Sequence, residues 1–453
     1  METFDHVLQV LVGYAWGTPL LILLVGGGLY LTILSRFLPF FAARHALDVL
    51  RGRYDHQDDP GQLSHFQALT TALSSTIGLG NIGGVAIAIT QGGPGAVFWM
   101  WIAALVGMAT KFFTCTLAVM YRGKDSEGVI QGGPMYTLEI GLGPRFRPLA
   151  VLFSAFGLIG CLGIFQSNQV AGILHQSYDV PPAATGLVCL VLVAIVSLGG
   201  VKRVGLAASR LVPSMCLLYL FGALLIVLRN YEQIPVVFGQ IFHDAFNGTA
   251  AAGGAAGIAW REVIRTGIKR AAFSNEAGLG TAPLAHGAAK TREPVREGIV
   301  AMVGPFIDTI VICSITAFVI LSTGLWRQSE GIEGVALTVR AFESVLGPAG
   351  KMLLVIVALL FGCSTMIGYS YYGRKCFSYL AGAKNARLYD IFYLGTIYLG
   401  AIWSVSTVIN LIDISFAMMA WPNMIATLLL APKVMEAARR YFRDQKLLEE
   451  KAD

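Results

Sequence analysis

Ser75-Thr76-Ile77-Gly78-Leu79-Gly80-Asn81 lies in the middle of an apolar stretch, and Asn275-Glu276-Ala277-Gly278-Leu279-Gly280-Thr281 repeats its Gly-Leu-Gly core in a second one. A membrane helix interrupted by Gly-rich backbone leaves N–H and C=O groups without intrahelical partners. Lipid cannot satisfy them, so such breaks persist only where protein buries them or where they line a cavity. Glycine patches also allow close helix packing in membranes. Two breaks in matching places favour the other reading: paired interruptions in the two halves of a polytopic chain point to the binding site of a secondary transporter.

Composition agrees with a membrane setting. Of the 453 residues 55% are hydrophobic and only 13% charged, with a mean hydropathy of +0.65; a soluble globular chain lies outside that range. About eleven spanning segments can be drawn from the hydrophobic pattern. They cover 17–35, 66–90, 95–120, 148–173, 183–200, 208–228, 258–288, 298–323, 351–378, 388–405 and 408–431. Met1-Glu-Thr-Phe-Asp5 has no basic n-region, so no signal peptide is expected. The seven cysteines lie in or beside apolar segments and form no CxxC pair, which argues against a disulfide framework or a zinc site. The seven histidines show no HxxxH spacing, and nothing in the sequence suggests an enzyme.

Most of the 33 Lys and Arg fall in alternate loops once the C-terminus is placed in the cytoplasm. Arg36, Arg44, Arg51, Arg122, Lys202, Lys290, Arg374 and the tail from Lys433 to Lys451 are then inside. This bias predicts a multi-pass protein of the cell membrane with the N-terminus outside and the C-terminus inside. The net charge of +6 follows from topology and calls for no nucleic acid. Residues 1–65 read as one extra helix and a cytoplasmic loop, 66–230 as a first five-helix repeat, and 231–257 as an extracellular connection. Residues 258–431 read as a second five-helix repeat and 432–453 as a tail. The broken helices open the two repeats and cross in opposite directions, an inverted-topology repeat.

Each break carries candidate ligands. Half-helix N-termini suit a carboxylate, so the amides of Leu79 and Gly80, in the Gly78-Leu79-Gly80 turn, are candidates for one. Gly80 is expected to need a backbone conformation open only to glycine. Unwound carbonyls suit a cation, which singles out Ser74 and Ile77. Intramembrane acids cost at least ~2.5–3.5 kcal/mol on insertion scales, so Glu276 and Asp308 are expected to be functional or paired. Glu276 could ligate a cation, cap its half-helix or pair with Lys269 or Arg270. Lys111 reads as a member of a structural ion pair. Cys363-Ser364-Thr365 interrupts an apolar run and offers hydroxyls for a hard cation of sodium type. Gln166-Ser-Asn-Gln169 is a polar cluster toward the end of its segment, and Arg261, Arg265, Lys269 and Arg270 form a ridge expected to face water. Ala250–Ala256 reads as a flexible entry to that helix.

Thr76-Ile-Gly-Leu-Gly-Asn-Ile-Gly-Gly84, Gly92-Gly-Pro-Gly-Ala-Val-Phe-Trp-Met-Trp101, Gly132-Gly-Pro-Met-Tyr136, Phe273-Ser-Asn-Glu-Ala-Gly-Leu-Gly-Thr-Ala-Pro283 and Phe306-Ile-Asp-Thr309 resemble the alanine/glycine:cation symporters. The likeness extends over nearly the whole chain. It implies an all-α membrane fold of LeuT type, a 5+5 inverted repeat with one additional N-terminal helix. It also implies sodium-coupled, or proton-coupled, uptake of small neutral amino acids, mainly alanine and glycine, by a monomer among membrane lipids. By resemblance the substrate pocket takes Thr76, Leu79, Gly80, Gln166, Phe273 and Thr365. The sodium site takes carbonyls of Ser74, Ile77 and Phe361 with hydroxyls of Ser364 and Thr365. Asn81, Ser274, Glu276 and Asp308 are further polar candidates. Two positions depart from the usual pattern: Thr114, where many members carry an acid beside the motif lysine, and Tyr369, where many carry Trp. Phe273 and Tyr369 would supply the bulk that keeps the substrate small. A transporter-derived sensor without coupled transport is the alternative.

Overall fold

The computed structural model describes residues 2–56, 58–247, 260–328 and 334–449; the Ala250–Ala256 run lies outside them. The chain is almost wholly helical, with one two-stranded hairpin pairing Gly123–Lys124 with Ile130–Gln131. Among the described residues six helices are long and apolar enough to cross a membrane, and two bent pairs raise that to eight. The three remaining drawn segments appear as Pro182–Ser197, Trp260–Asn275 with Ala282–His286, and Ala386–Ile402. The first is shorter than an ordinary span, and the second is broken and carries charged residues.

The first broken helix is set up locally. Ser64 and Gln67 form a reciprocal capping box, Ser64 N donating to Gln67 Oε1 at 3.1 Å and Gln67 N to Ser64 Oγ at 3.2 Å. His65–Thr76 then runs to Ile77, whose extended backbone (φ −75°, ψ 95°) ends it. The chain resumes at Gly80 and continues to Gly92, bent by 51° from the first half. In the second broken helix Glu276, Gly278 and Gly280 take left-handed φ of 55°, 87° and 93°, which stops Trp260–Asn275 and lets Ala282–His286 start afresh.

Outward faces carry large apolar side chains such as Leu187, Val191, Ile195, Leu217, Phe221, Leu388 and Ile391, while Asn81, Ser274, Glu276, Asp308 and Thr365 are buried. That inversion is what a bilayer solvent demands.

Several boundaries differ from the hydrophobic reading. The first span is preceded by a helix, Glu2–Ala15, and the two are bent by 49° at Trp16-Gly17. The segment drawn at 148–173 is interrupted at Cys161–Gly163, so Gln166–Gln169 sit near the start of Ile164–Tyr178 rather than near an end. The connection at 231–257 holds a helix, Ile234–Asn247, and a further helix, Val335–Leu346, precedes Pro348–Ala381. The tail is no separate segment, for Val405–Glu449 is one helix of 45 residues.

Candidate functional site

The two breaks meet at the centre of the bundle, with Pro348–Ala381 alongside the first. An added Cβ on Gly78 would lie 2.3 Å from Thr365 Oγ1, and one on Gly362 would lie 3.4 Å from Leu79 Cδ1. Gly368 lies close to Ser74 and Ser75, whose Oγ atoms would be 2.9 and 2.2 Å from its Cβ. Thus the helix carrying Ser364 and Thr365 contacts the unwound segment along its length. Phe165 and Phe273 meet edge to face at 5.0 Å between centroids, and a Cβ on Gly80 would touch the Phe273 ring at 3.3 Å. Thr76, Leu79, Gln166, Phe273, Thr365 and Tyr369 are all buried.

Polar groups in this centre divide into two sets. One set is satisfied internally. Asn81 Oδ1 accepts from Gly78 N at 2.8 Å, and Asn81 Nδ2 donates to Asp308 Oδ1 at 2.7 Å. Asp308 Oδ2 also accepts from Ser274 Oγ at 2.8 Å and Thr309 Oγ1 at 2.7 Å. One carboxylate thereby ties the first break to the second. Glu276 accepts from Thr281 Oγ1 and from Tyr369 OH, the latter at 2.5 Å.

The other set has no protein partner. Ser364 Oγ, Thr365 Oγ1 and Gln166 Oε1 are buried without a hydrogen bond among the described residues. The amides of Leu79 and Gly80 find no acceptor among them either. Buried polar atoms are almost always paired, so Thr365 Oγ1, which stands against the unwound turn, is open to a polar guest. The structure therefore brings Thr76, Leu79, Gly80, Gln166, Phe273, Ser364 and Thr365 together, with Ser74, Ile77 and Phe361 beside them on the same two elements.

Three expectations are corrected. The first break holds no glycine with positive φ, so Gly80 is not required by conformation; the closeness of Thr365 excludes a Cβ at Gly78, while a Cβ at Gly80 would only crowd the Phe273 ring. Glu276 does not pair with Lys269 or Arg270. Both cations converge on Asp413, at 2.9 and 2.8 Å, so the lower part of the basic ridge is buried rather than facing water. Its upper part docks on the N-terminal helices, Arg265 Nη2 donating to Gly13 O at 3.1 Å. Lys111 is buried too, but among the described residues no acid comes within 4.0 Å of it to make the expected ion pair; Thr114 donates back to the Lys111 carbonyl at 3.3 Å.

Two buried groups escape a sequence reading altogether. Asp413 is a single acid in an apolar window, and only its place opposite Lys269 and Arg270 reveals it. Glu297 accepts from His286 Nδ1 at 2.5 Å and from His65 Nδ1, joining the start of the first broken helix to the end of the second. Neither histidine belongs to a spacing motif, because the cluster is assembled from three separate segments. Beside it Arg122 donates to the carbonyls of Gly287, Ala289, Thr291 and Pro60, clasping residues 60–63 to 287–291.

Comparison with known proteins adds a second line of evidence. The profile of the sodium:alanine symporter family matches residues 1–453. The sodium/alanine symporter AgcS of Methanococcus maripaludis is 41% identical over 445 residues, covering 97% of each chain. The probable sodium/glutamine symporter GlnT of Bacillus subtilis is 35% identical over 449 residues, 98% of this chain and 92% of the relative. Among solved structures, MhsT in complex with L-phenylalanine superposes with a TM-score of 0.60 at 14% identity, over 82% of this chain and 89% of that one. The fold is thus the LeuT-type arrangement that the family resemblance implies.

Proposed function

The chain belongs to the sodium:alanine symporter family, and from that premise we propose that it carries a small neutral amino acid, mainly alanine or glycine, into the cell together with sodium. It is a transporter and not an enzyme. The reading rests on the bare polar atoms of the buried centre: Ser364 Oγ, Thr365 Oγ1 and Gln166 Oε1. Ser364 and Thr365, with carbonyls of Ser74, Ile77 and Phe361, form an all-oxygen set suited to a hard cation. The amides of Leu79 and Gly80 receive the substrate carboxylate, Gln166 accepts from the ammonium, and Phe273 with Tyr369 limits side-chain size. Asn81, Ser274, Glu276 and Asp308 serve as scaffold, since their polar atoms are taken up by one another and by their neighbours.

We place the N-terminus outside and the C-terminus in the cytoplasm, with repeats at 66–230 and 258–431 around the extra N-terminal helix. The protein acts as a monomer. Uptake of labelled glycine, L-alanine and L-glutamine into proteoliposomes, with and without an inward sodium gradient and at matched proton gradients, tests the proposal. Sodium-driven accumulation of alanine or glycine is the expected result. Binding without accumulation under any gradient would indicate a sensor, and accumulation driven by protons alone would replace the coupling ion.

A further inference from the structure

The helix Val405–Glu449 runs past Pro432 as a strongly basic extension. Its positions 433, 436, 440 and 443 recur at three- and four-residue spacing and so share one face. Lys433, Arg439, Arg440 and Arg443, with one acid, Glu436, line a cavity of about 790 Å³. The opposite wall is apolar, built from Leu34 at the end of the first span and Met120 and Tyr121 at the end of Gly95–Met120. Lys433, Arg439 and Arg440 are exposed, and no carboxylate of the described residues approaches them within 4.0 Å. Arg443 shares Asp444 at 3.6 Å, and Lys433 Nζ stands 5.9 Å from the centre of the Tyr121 ring.

Three membrane helices therefore end at one cavity that is cationic on one side and apolar on the other. A soluble anion would use only the cations. A phosphodiester that carries acyl chains uses both walls, and basic pockets where spanning helices leave the bilayer attract anionic headgroups. We propose that this cavity binds one anionic phospholipid, its phosphodiester among Lys433, Arg439 and Arg440 and its glycerol and upper acyl chain against Leu34, Met120 and Tyr121. The lipid would hold the extra N-terminal helix, the helix Gly95–Met120 and the C-terminal extension together. Only the assignment to the cytoplasmic leaflet rests on the orientation proposed above.

Native mass spectrometry of the full chain, released from bilayers of equal phosphatidylglycerol and phosphatidylcholine, tests the site independently of transport. The wild type is expected to retain phosphatidylglycerol selectively. The triple variant Lys433→Gln, Arg439→Gln, Arg440→Gln should lose that selectivity by roughly tenfold or more, given the attraction of each near-surface cation. Glu436→Gln, on the same face, should strengthen it, which guards against a loss that merely reflects poor folding. Inorganic phosphate and glycerol 3-phosphate serve as competitors. Equal retention by wild type and triple variant overturns the proposal, as does displacement of the lipid by millimolar phosphate, which would mark a soluble-anion site. Failure of amino-acid uptake in the same preparations would bear on the transport reading and leave lipid retention untouched.

Discussion

Thr365 has two roles that its neighbours divide between them. Its hydroxyl is one of the bare buried atoms, and it is also what forbids a side chain at Gly78. The two hydroxyls are proposed oxygen ligands of the hard cation, so Ser364→Ala with Thr365→Ala should raise the sodium concentration for half-maximal uptake by roughly tenfold or more while expression holds. Unchanged sodium dependence would remove both hydroxyls from the ion site. Gly78→Ala should abolish uptake, because its Cβ meets Thr365 Oγ1 at 2.3 Å. Gly80→Ala meets only a ring edge at 3.3 Å, so its loss should be partial and relieved by Phe273→Leu. If Gly80→Ala is as inactive as Gly78→Ala and Phe273→Leu gives no relief, the steric account fails. Tyr369→Phe keeps the bulk and drops the bond to Glu276, whereas Tyr369→Ala removes both; only the second should admit valine, at ~1–3 kcal/mol per methylene accommodated.

Among the elements, the broken helices were the most legible in the sequence, because a Gly-Leu-Gly core weakens an apolar helix wherever it falls, and here it falls at matching places in both halves. The interruption at Cys161–Gly163 was not, since Gly160-Cys-Leu-Gly163 carries no polar side chain to mark it. Asp308 stood out as an intramembrane acid, but its partners come from two other segments and no spacing rule joins them. The polar cluster at Gln166 was visible, while its placement depended on the unseen interruption. Packing alone makes Glu297 the point where His65 and His286 meet. Removing one member of a buried charge cluster typically costs 3–5 kcal/mol. Glu297→Ala should therefore lower the thermal midpoint by several degrees, and Glu297→Gln, which keeps two hydrogen-bonding atoms, by clearly less. Equal midpoints for wild type and Glu297→Ala in a fluorescence melt would show that the cluster adds nothing to stability.

For the whole molecule the bilayer sets the pattern: apolar faces outside, charge clusters within. Lys269, Arg270 and Asp413 form one such group, and Arg270 also stands 5.3 Å over the Phe273 ring. Asp413→Leu alone should destabilise the protein by about 3–5 kcal/mol, since two buried cations lose their counter-charge. Adding Lys269→Met and Arg270→Met should recover much of that loss, as apolar replacement of a buried ion pair is often neutral. If the triple variant melts no higher than Asp413→Leu, the cations have another essential partner.

Asp413 and the basic extension belong to the same 45-residue helix, and that continuity has a mechanical consequence. At 1.5 Å per residue, Arg440 stands about 40 Å along the axis from Asp413. A tilt of about 5° at the ion pair would sweep the far end through roughly 3–4 Å if the rod were stiff. Pro422 and Pro432 each remove a backbone hydrogen bond along the way, so the rod has two joints where that leverage can be absorbed. A distance probe on Arg440 should move little when the substrate site is filled in the native chain, and more when both prolines are replaced by alanine.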